Sequence, residues 1–244
     1  MEINAKNIKL IAMDLDGTLT QHKEPLLPEH RAVLDKLAKR YRLLMVGAGQ
    51  VRRIFNQMER YPIDIIGNYG LQYAVYDAAA KDLRTVEDIC LPQGDRASIE
   101  QRVSFLRKKH GFESFKGESV EYHPSGCVTF AVLGTKADQA DKLAFDPDRK
   151  KRRAFYAEVK ELFPEYRVFI GGSSSFDMAP APYDKRHALE RYCDRLGLLP
   201  HEVLFIGDDY GEGGNDESVY LSDFHFLKID DYRTFPEITK FLLN

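Results

Sequence analysis

No apolar run in this sequence approaches the ~20 residues needed to cross a bilayer. Cysteine is scarce: Cys90, Cys127 and Cys193 lie far apart and are odd in number, which gives neither a disulfide framework nor a zinc spacing. They read as small buried hydrophobes in a reducing cytosol. Neither sign of charge dominates. Lys and Arg number 35 against 38 Asp and Glu, a net charge of −3, so no strong field draws the chain to nucleic acid or an anionic membrane. The first thirteen residues mix Glu2, Asn4, Lys6, Asn7 and Lys9 among apolar ones and do not form a signal peptide. A 43% hydrophobic content with 30% charged residues excludes a disordered chain. The expectation is a cytoplasmic globular protein with room for one large domain or two smaller ones.

Strand-length apolar runs alternate with helical patterns at both ends of the chain. Ile8–Met13, Tyr41–Val46, Ile63–Ile66, Val203–Ile206 and Phe224–Ile229 read as strands. Pro28–Arg40, the stretch from Val51 to Met58, Lys185–Leu196 and Glu237–Leu243 read as helices. This alternation implies crossover connections and a parallel sheet covered on both faces. The middle differs. Ser119–Leu133 and Arg167–Met178 alternate like antiparallel strands, with helices over Asp95–His110 and Asp148–Phe163. The chain is therefore divided into a parallel α/β core of residues 1–84 and 182–244 and an inserted α+β domain of residues 85–181. The basic run Arg149–Arg153 is taken as a solvated helix face, with nucleic-acid binding the lesser alternative.

Acidic residues gather where strands end. Asp14-Leu15-Asp16-Gly17-Thr18 follows the first strand, at the edge where parallel sheets form their ligand crevice. Strand alternation predicts that Asp14 and Asp16 share a direction, so their carboxylates converge and repel. A divalent cation relieves this, and oxygen-only ligands select Mg²⁺ over zinc or copper. Alone, the string is compatible with an exposed acidic turn. A second acidic run, Gly207-Asp208-Asp209 through Asn215-Asp216, follows another strand. Lys185 begins a helix, an unfavourable place for a cation on dipole grounds, which hints at a role in binding negative charge.

These residues carry a resemblance. DLDGT resembles the nucleophile motif of the haloacid dehalogenase (HAD) superfamily, and GDD followed by GGND resembles its acidic metal motif. More closely, the chain resembles eukaryotic-type phosphomannomutases, through DLDGTLT, then SFDMAPAPYDKR, then GGND after Gly207-Asp208. The resemblance implies a parallel-sheet, Rossmann-like HAD core with an inserted α+β cap and a phosphoaspartyl mechanism. Asp14 would be the nucleophile and Asp16 the acid and base. The Asp14 side chain, the Asp16 backbone carbonyl and the Asp208 side chain would hold Mg²⁺. Lys185 would neutralise charge and be held by Asp216, with Asp209 and Asn215 as support through water. Thr18, Gly47, Gly49 and Lys185 would face the phosphate.

The departures are as informative. The family's second motif is a Ser or Thr after the second strand; here Gly47-Ala48-Gly49-Gln50 puts Gly49 in that place, leaving only backbone N–H groups to cradle phosphate. Two cap arginines of the family are absent, with His123 and Thr135 in their positions, while Lys116, His123, Lys136, Ser175 and Asp177 are the candidate substrate contacts of the cap. Tyr122, Phe130 and Phe176 are assigned to packing. Three functions stay open: a Mg²⁺-dependent phosphatase of a small phosphorylated sugar, a phosphomannomutase, and a non-catalytic sugar-phosphate sensor. The expected partner is a small phosphorylated molecule, with no nucleic acid and no membrane; monomer and cap-mediated dimer are both open.

Overall fold

The computed structural model describes residues 3–243; residues 1, 2 and 244, at the ends of the expected core, lie outside the described residues. It falls into two compact units. One comprises the chain up to Asp88, Asp184–Gly211 and the chain from Asp216 onward; the other comprises Ile89–Tyr183 and Glu212–Asn215.

The first unit begins with β1 (Leu10–Met13), α1 (Pro28–Leu37), β2 (Arg42–Val46), α2 (Val51–Gln57) and β3 (Asp64–Gly67), followed by β4 (Gln72–Asp77) and β5 (Asp82–Asp88). The second unit holds α3 (Arg96–His110), β6 (Val120–Tyr122), β7 (Val128–Ala131), α4 (Gln139–Phe145), α5 (Lys150–Leu162), β8 (Tyr166–Phe169) and β9 (Ser175–Pro180). The chain then returns through α6 (Lys185–Leu196), β10 (Val203–Gly207), α7 (Glu217–Tyr220), β11 (His225–Lys228) and α8 (Phe235–Ile238).

Seven strands of the first unit form one sheet in the order β11-β10-β1-β2-β3-β4-β5. The five from β11 to β3 are parallel; β4 and β5 add antiparallel. Alternate residues feed opposite faces. Ile11, Met13, Met45, Ile65 and Ile206 pack with Leu34, Leu37, Ile54 and Phe55 of α1 and α2. Leu10, Ala12, Leu44, Val46 and Phe205 pack with Ala188, Leu189 and Tyr192 of α6. Burying each such side chain contributes about 1.5–3 kcal/mol, which makes this two-sided core the main support of the strand ends.

Three expectations are corrected. The β4–β5 hairpin has no counterpart among the expected strands, and the expected change of domain at 84/85 falls inside β5, which pairs along its length with β4. The terminal helix expected over 237–243 is instead the end of the four-residue α8, with Pro236 in its first turn and the Thr239 hydroxyl donating to the Phe235 carbonyl, followed by a 3₁₀ turn over Lys240–Leu242. Cys127 and Cys193 are buried, and burial pushes their thiols up to about 11 and about 12; Cys90 is exposed, in the segment that follows β5. Among the described residues no helix is long and apolar enough to cross a membrane.

The second unit is a four-stranded antiparallel sheet, β6-β7-β9-β8, with α3 and α5 on one face. Phe130 and Phe176 stack at 5.8 Å inside that core, while Tyr122 sits at its margin under Arg96. The basic run is not uniformly solvated. Arg152 is 1% exposed, and its Nε donates to Asp146 Oδ2 at 2.8 Å. Its Nη1 donates to the carbonyls of Gly171, Gly172 and Ser175 at 2.6, 3.2 and 2.9 Å. A helix pattern cannot distinguish a charged residue facing water from one recruited inward by a neighbouring loop.

Removing one member of such a pair leaves the other charge buried without a counterion. Asp146→Ala is therefore expected to lower stability by about 3–5 kcal/mol. The chain has no tryptophan, so urea unfolding followed by circular dichroism checks this. A loss below about 1 kcal/mol would show that solvent or rearrangement replaces the carboxylate.

Candidate active site

Strands β10, β1 and β2 lie side by side and parallel, so their carboxyl ends bring three loops together. Asp14 follows β1 directly, and its N–H continues the ladder to the Ile206 carbonyl at 3.0 Å. Asp208 follows β10. Asp184 caps α6 by accepting the His187 N–H at 2.7 Å, which places Lys185 at the first helical position.

The Lys185 side chain is wholly buried. Its Nζ lies 2.6 Å from Asp14 Oδ1 and 2.7 Å from Asp216 Oδ1. Burial alone would push this ammonium down, but the two carboxylates outweigh burial and hold it above its ordinary value. Asp14, Asp208 and Asp216 each offer an oxygen within 4.8 Å of the others. Burial pushes the Asp14 carboxyl well up, Lys185 draws it back, and Asp216 and Asp208 push it up again. Asp208 is pushed up to about 6 by burial and by Asp216, against the Thr18 hydrogen bond. Burial likewise raises Asp216, with Lys185 opposing.

These directions share one cause. Three carboxylates and one ammonium leave two negative charges in excess when all are ionised, in a site largely closed to water. The oxygens are not equally available. Asp216 uses one on Lys185 and the other on the Asp209 N–H at 3.1 Å. Asp14 Oδ2 and Asp208 Oδ2 accept no hydrogen bond from the described residues, whereas Asp208 Oδ1 accepts from the Thr18 hydroxyl at 2.9 Å. Two converging free carboxylate oxygens with an excess of two charges fit a hard divalent cation.

Asp16 departs from the expected convergence. β1 ends at Met13, so strand alternation no longer governs Asp16, and its carboxylate is not part of the three-acid group. Its Oδ1 accepts from the Lys23 N–H at 2.8 Å and from Gln57 Nε2 at 2.7 Å; its Oδ2 faces Arg53 Nη1 at 3.2 Å. Burial would raise its carboxyl, but the donors Gln57, Lys23 and Arg53, with His22 nearby, hold it below the ordinary range. The sequence reasoning missed Arg53 and Gln57; their i, i+4 spacing immediately after the glycine turn was the available signal.

Other expected contacts are redistributed. Thr18 donates to Asp208, and Gly47 spends its N–H on the Ile66 carbonyl at 2.9 Å, so that N–H is committed to the sheet. The Gly49 carbonyl accepts from Asn68 N–H at 2.7 Å. Asp209 meets Asp216 through backbone groups on both sides, and Asn215 groups with the second unit.

In that second unit, Thr129 and Asp177 are direct partners across β7 and β9. The Thr129 hydroxyl donates to Asp177 Oδ1 at 3.2 Å and accepts from His123 Nε2 at 3.0 Å, which fixes Nε2 as a donor. Ser175 Oγ donates to the Gly171 carbonyl at 3.1 Å. His123, Ser175 and Asp177 are thus brought onto one polar face, with Thr129 as the link that sequence reasoning missed. Lys116 and Lys136 are joined elsewhere, by a backbone hydrogen bond at 2.9 Å. The Lys116 ammonium is bound to Asp138 and flanked by Asp141 at 3.6 Å, which raises its proton affinity. Lys136 is exposed.

With this geometry in hand, the sequence matches the family model of eukaryotic phosphomannomutase over residues 30–228. The chain belongs to the eukaryotic phosphomannomutase family. A probable phosphomannomutase of Caenorhabditis elegans is 26% identical over 233 residues, covering 90% of this chain and 89% of that protein. A HAD-superfamily phosphatase from Bacteroides thetaiotaomicron shares the fold at a TM-score of 0.62 and 16% identity, covering 96% of this chain and 95% of that one. The Plasmodium falciparum IMP-nucleotidase, in its IMP-bound form, does so at 0.75 and 12% identity, covering 98% of this chain and 68% of that one. The protein is thus an enzyme of the phosphomannomutase family, with a fold that it shares with a HAD-superfamily phosphatase. Position 49 is glycine in this chain, and His123 and Thr135 stand where the resemblance led to an expectation of cap arginines.

One glycine of the family's first motif is a geometric requirement. Gly17 has φ +95°, and a Cβ there would stand 2.3 Å from Asp208 Oδ2. Gly17→Ala is expected to cost more than about 1 kcal/mol through backbone strain, besides displacing Asp208. Thermal unfolding of the purified variant checks this; an unchanged midpoint would mean that the loop readjusts freely.

Proposed function

We propose that the protein is a Mg²⁺-dependent phosphatase that hydrolyses a small phosphomonoester, a phosphorylated sugar, through a phosphoaspartyl intermediate. The observation that carries this reading is the buried Lys185 ammonium 2.6 Å from Asp14 Oδ1, which offsets part of the charge of the carboxylate that directly follows β1. An oxygen of the Asp14 carboxylate attacks phosphorus in line; the bond from Asp14 to phosphorus forms as the bond to the leaving alkoxide breaks. Asp16 carries the proton, giving it to the alkoxide in the first half-reaction and taking one from the attacking water in the second. Its three hydrogen-bond donors describe the deprotonated state that the second half requires. Asp14, Asp208 and the Asp16 carbonyl would hold Mg²⁺, which when bound neutralises charge on the phosphoryl oxygens. Lys185 stays fixed by Asp216 throughout and offsets charge around Asp14.

The polar face of the second unit supports hydrolysis over mutase chemistry. A mutase must hold a second phosphate while the first reacts, a task suited to guanidinium forks. His123 and Ser175 here lie in a hydrogen-bonded group with Thr129 and the acidic Asp177, and Lys116 is already paired with Asp138. This array suits sugar hydroxyls. That Cys127 and Cys193 stand as thiols rather than in disulfides supports a reducing, cytoplasmic setting. A second reading, phosphomannomutase, is favoured by the family match and by the names of the curated relatives.

Asp14→Asn is expected to abolish turnover with the fold intact, because an amide forms no acyl phosphate. Near-wild-type phosphate release by a folded variant would remove Asp14 as the nucleophile. Phosphatase and mutase separate by product. Incubated with mannose 1-phosphate, Mg²⁺ and a hexose bisphosphate primer, the enzyme is expected to yield inorganic phosphate by ³¹P NMR. Mannose 6-phosphate forming faster than free phosphate would replace the first reading by the second.

A further inference from the structure

Helix α2 presents Arg53 and Gln57 one turn apart, directly after the Gly47–Gln50 loop. Arg53 Nη1 donates to Asp16 Oδ2 at 3.2 Å and to Gln57 Oε1 at 2.7 Å. Gln57 Nε2 in turn donates to Asp16 Oδ1 at 2.7 Å and to Thr20 Oγ1 at 2.9 Å. The guanidinium occupies a particular space. A Cβ on residue 49 would stand 2.1 Å from Arg53 Nη2, 2.5 Å from Nε and 2.6 Å from Cζ. Any side chain at 49 therefore evicts the guanidinium from its present seat. Glycine at 49 is more than the loss of a hydroxyl; it admits a cation to the Asp16 side of the loop.

We propose that Arg53, seated against the side-chain-free Gly49, is a positioning residue that orients the Asp16 carboxylate for proton transfer to the leaving oxygen of the substrate. The proposal rests on the role of Asp16 given above. Side-chain exposures of 41% for Arg53 and 18% for Asp16 mean that water screens the pair, so its effect is on geometry rather than on overall stability. A carboxylate held from both oxygens keeps one orientation, and proton transfer depends steeply on reach and angle. Because the clash at 49 is with the far end of a flexible, half-exposed side chain, a serine there moves Arg53 without breaking the fold.

The test measures kcat/KM with Mg²⁺ for a series of phosphomonoesters, from alkyl phosphates to p-nitrophenyl phosphate. That ratio reports only steps up to formation of the phosphoenzyme, where the leaving group either needs a proton or does not. Arg53→Ala and Gly49→Ser are each expected to lower it about 10- to 100-fold for alkyl phosphates, but less than about 3-fold for p-nitrophenyl phosphate. Arg53→Lys is expected to fall between Arg53→Ala and wild type. Arg52→Ala, whose side chain pairs with Asp82 instead, leaves both values unchanged. Circular dichroism confirms folding of each variant. An equal loss across all leaving groups, or no loss, in an active wild-type background overturns the role of Arg53 and leaves the phosphatase reading standing. A wild-type enzyme inert in both hydrolysis and transfer overturns both.

Discussion

A lysine ammonium with no access to water must find its counter-charges within the protein, and Lys185 finds two. Burying such a cation unpaired costs several kcal/mol, so Asp14 and Asp216 are structural necessities for one another's neighbour as much as chemical groups. The consequences spread from that contact. Helix α6 must start at residue 185, which the Asp184 cap secures. The loop after β10 must return to deliver Asp216, whose N–H donates to the Asp209 carbonyl and whose Oδ2 accepts from the Asp209 N–H. Once both carboxylates are committed to Lys185, Asp208 becomes the surplus acid, and Thr18 turns it into position.

The surplus of negative charge is a property of the whole group. Each of the three acids is raised chiefly by burial, and each is raised further by another acid. Such a site is stable as a folded object because Lys185 removes part of the repulsion, and it remains receptive to a divalent cation because Lys185 cannot remove all of it. Asp16 lives by different rules two residues away. It is surrounded by donors and held ionised, so adjacent carboxylates are driven in opposite directions by their surroundings.

The second unit uses the same device for another end. Arg152 and Asp146 form a buried pair whose remaining N–H groups are spent on the carbonyls of Gly171, Gly172 and Ser175. The loop leading into Ser175 and Asp177 is thereby anchored by a buried cation. Arg107 does likewise for another turn, donating to the carbonyls of Phe112 and Val132 at 2.7 Å with no carboxylate partner among the described residues, and burial lowers it to about 10. Fixed loops on a rigid sheet give a polar face of defined geometry.

The amino-acid sequence alone determined the class of fold, because strand-length apolar runs alternating with amphipathic helices have few ways to bury both faces of a sheet. It also determined the family through three motifs, and the resemblance they carry pointed to Asp14, Asp208, Asp216 and Lys185; periodicity located only the strand ends before Asp14 and Asp208 and the helix start at Lys185. The β4–β5 hairpin escaped because its residues are mostly half-buried or exposed and leave no clear apolar alternation. What only the tertiary structure decided is which charges meet. That Asp216 rather than Asp16 joins Asp14, that Arg152 turns inward, that Lys116 is spent on Asp138, and that Arg53 fills the space beside Gly49 are all facts about distance. Local sequence sets a residue's chemistry and its place on an element. The partner that tunes that chemistry comes from another strand or helix, and only packing brings the two within hydrogen-bonding reach.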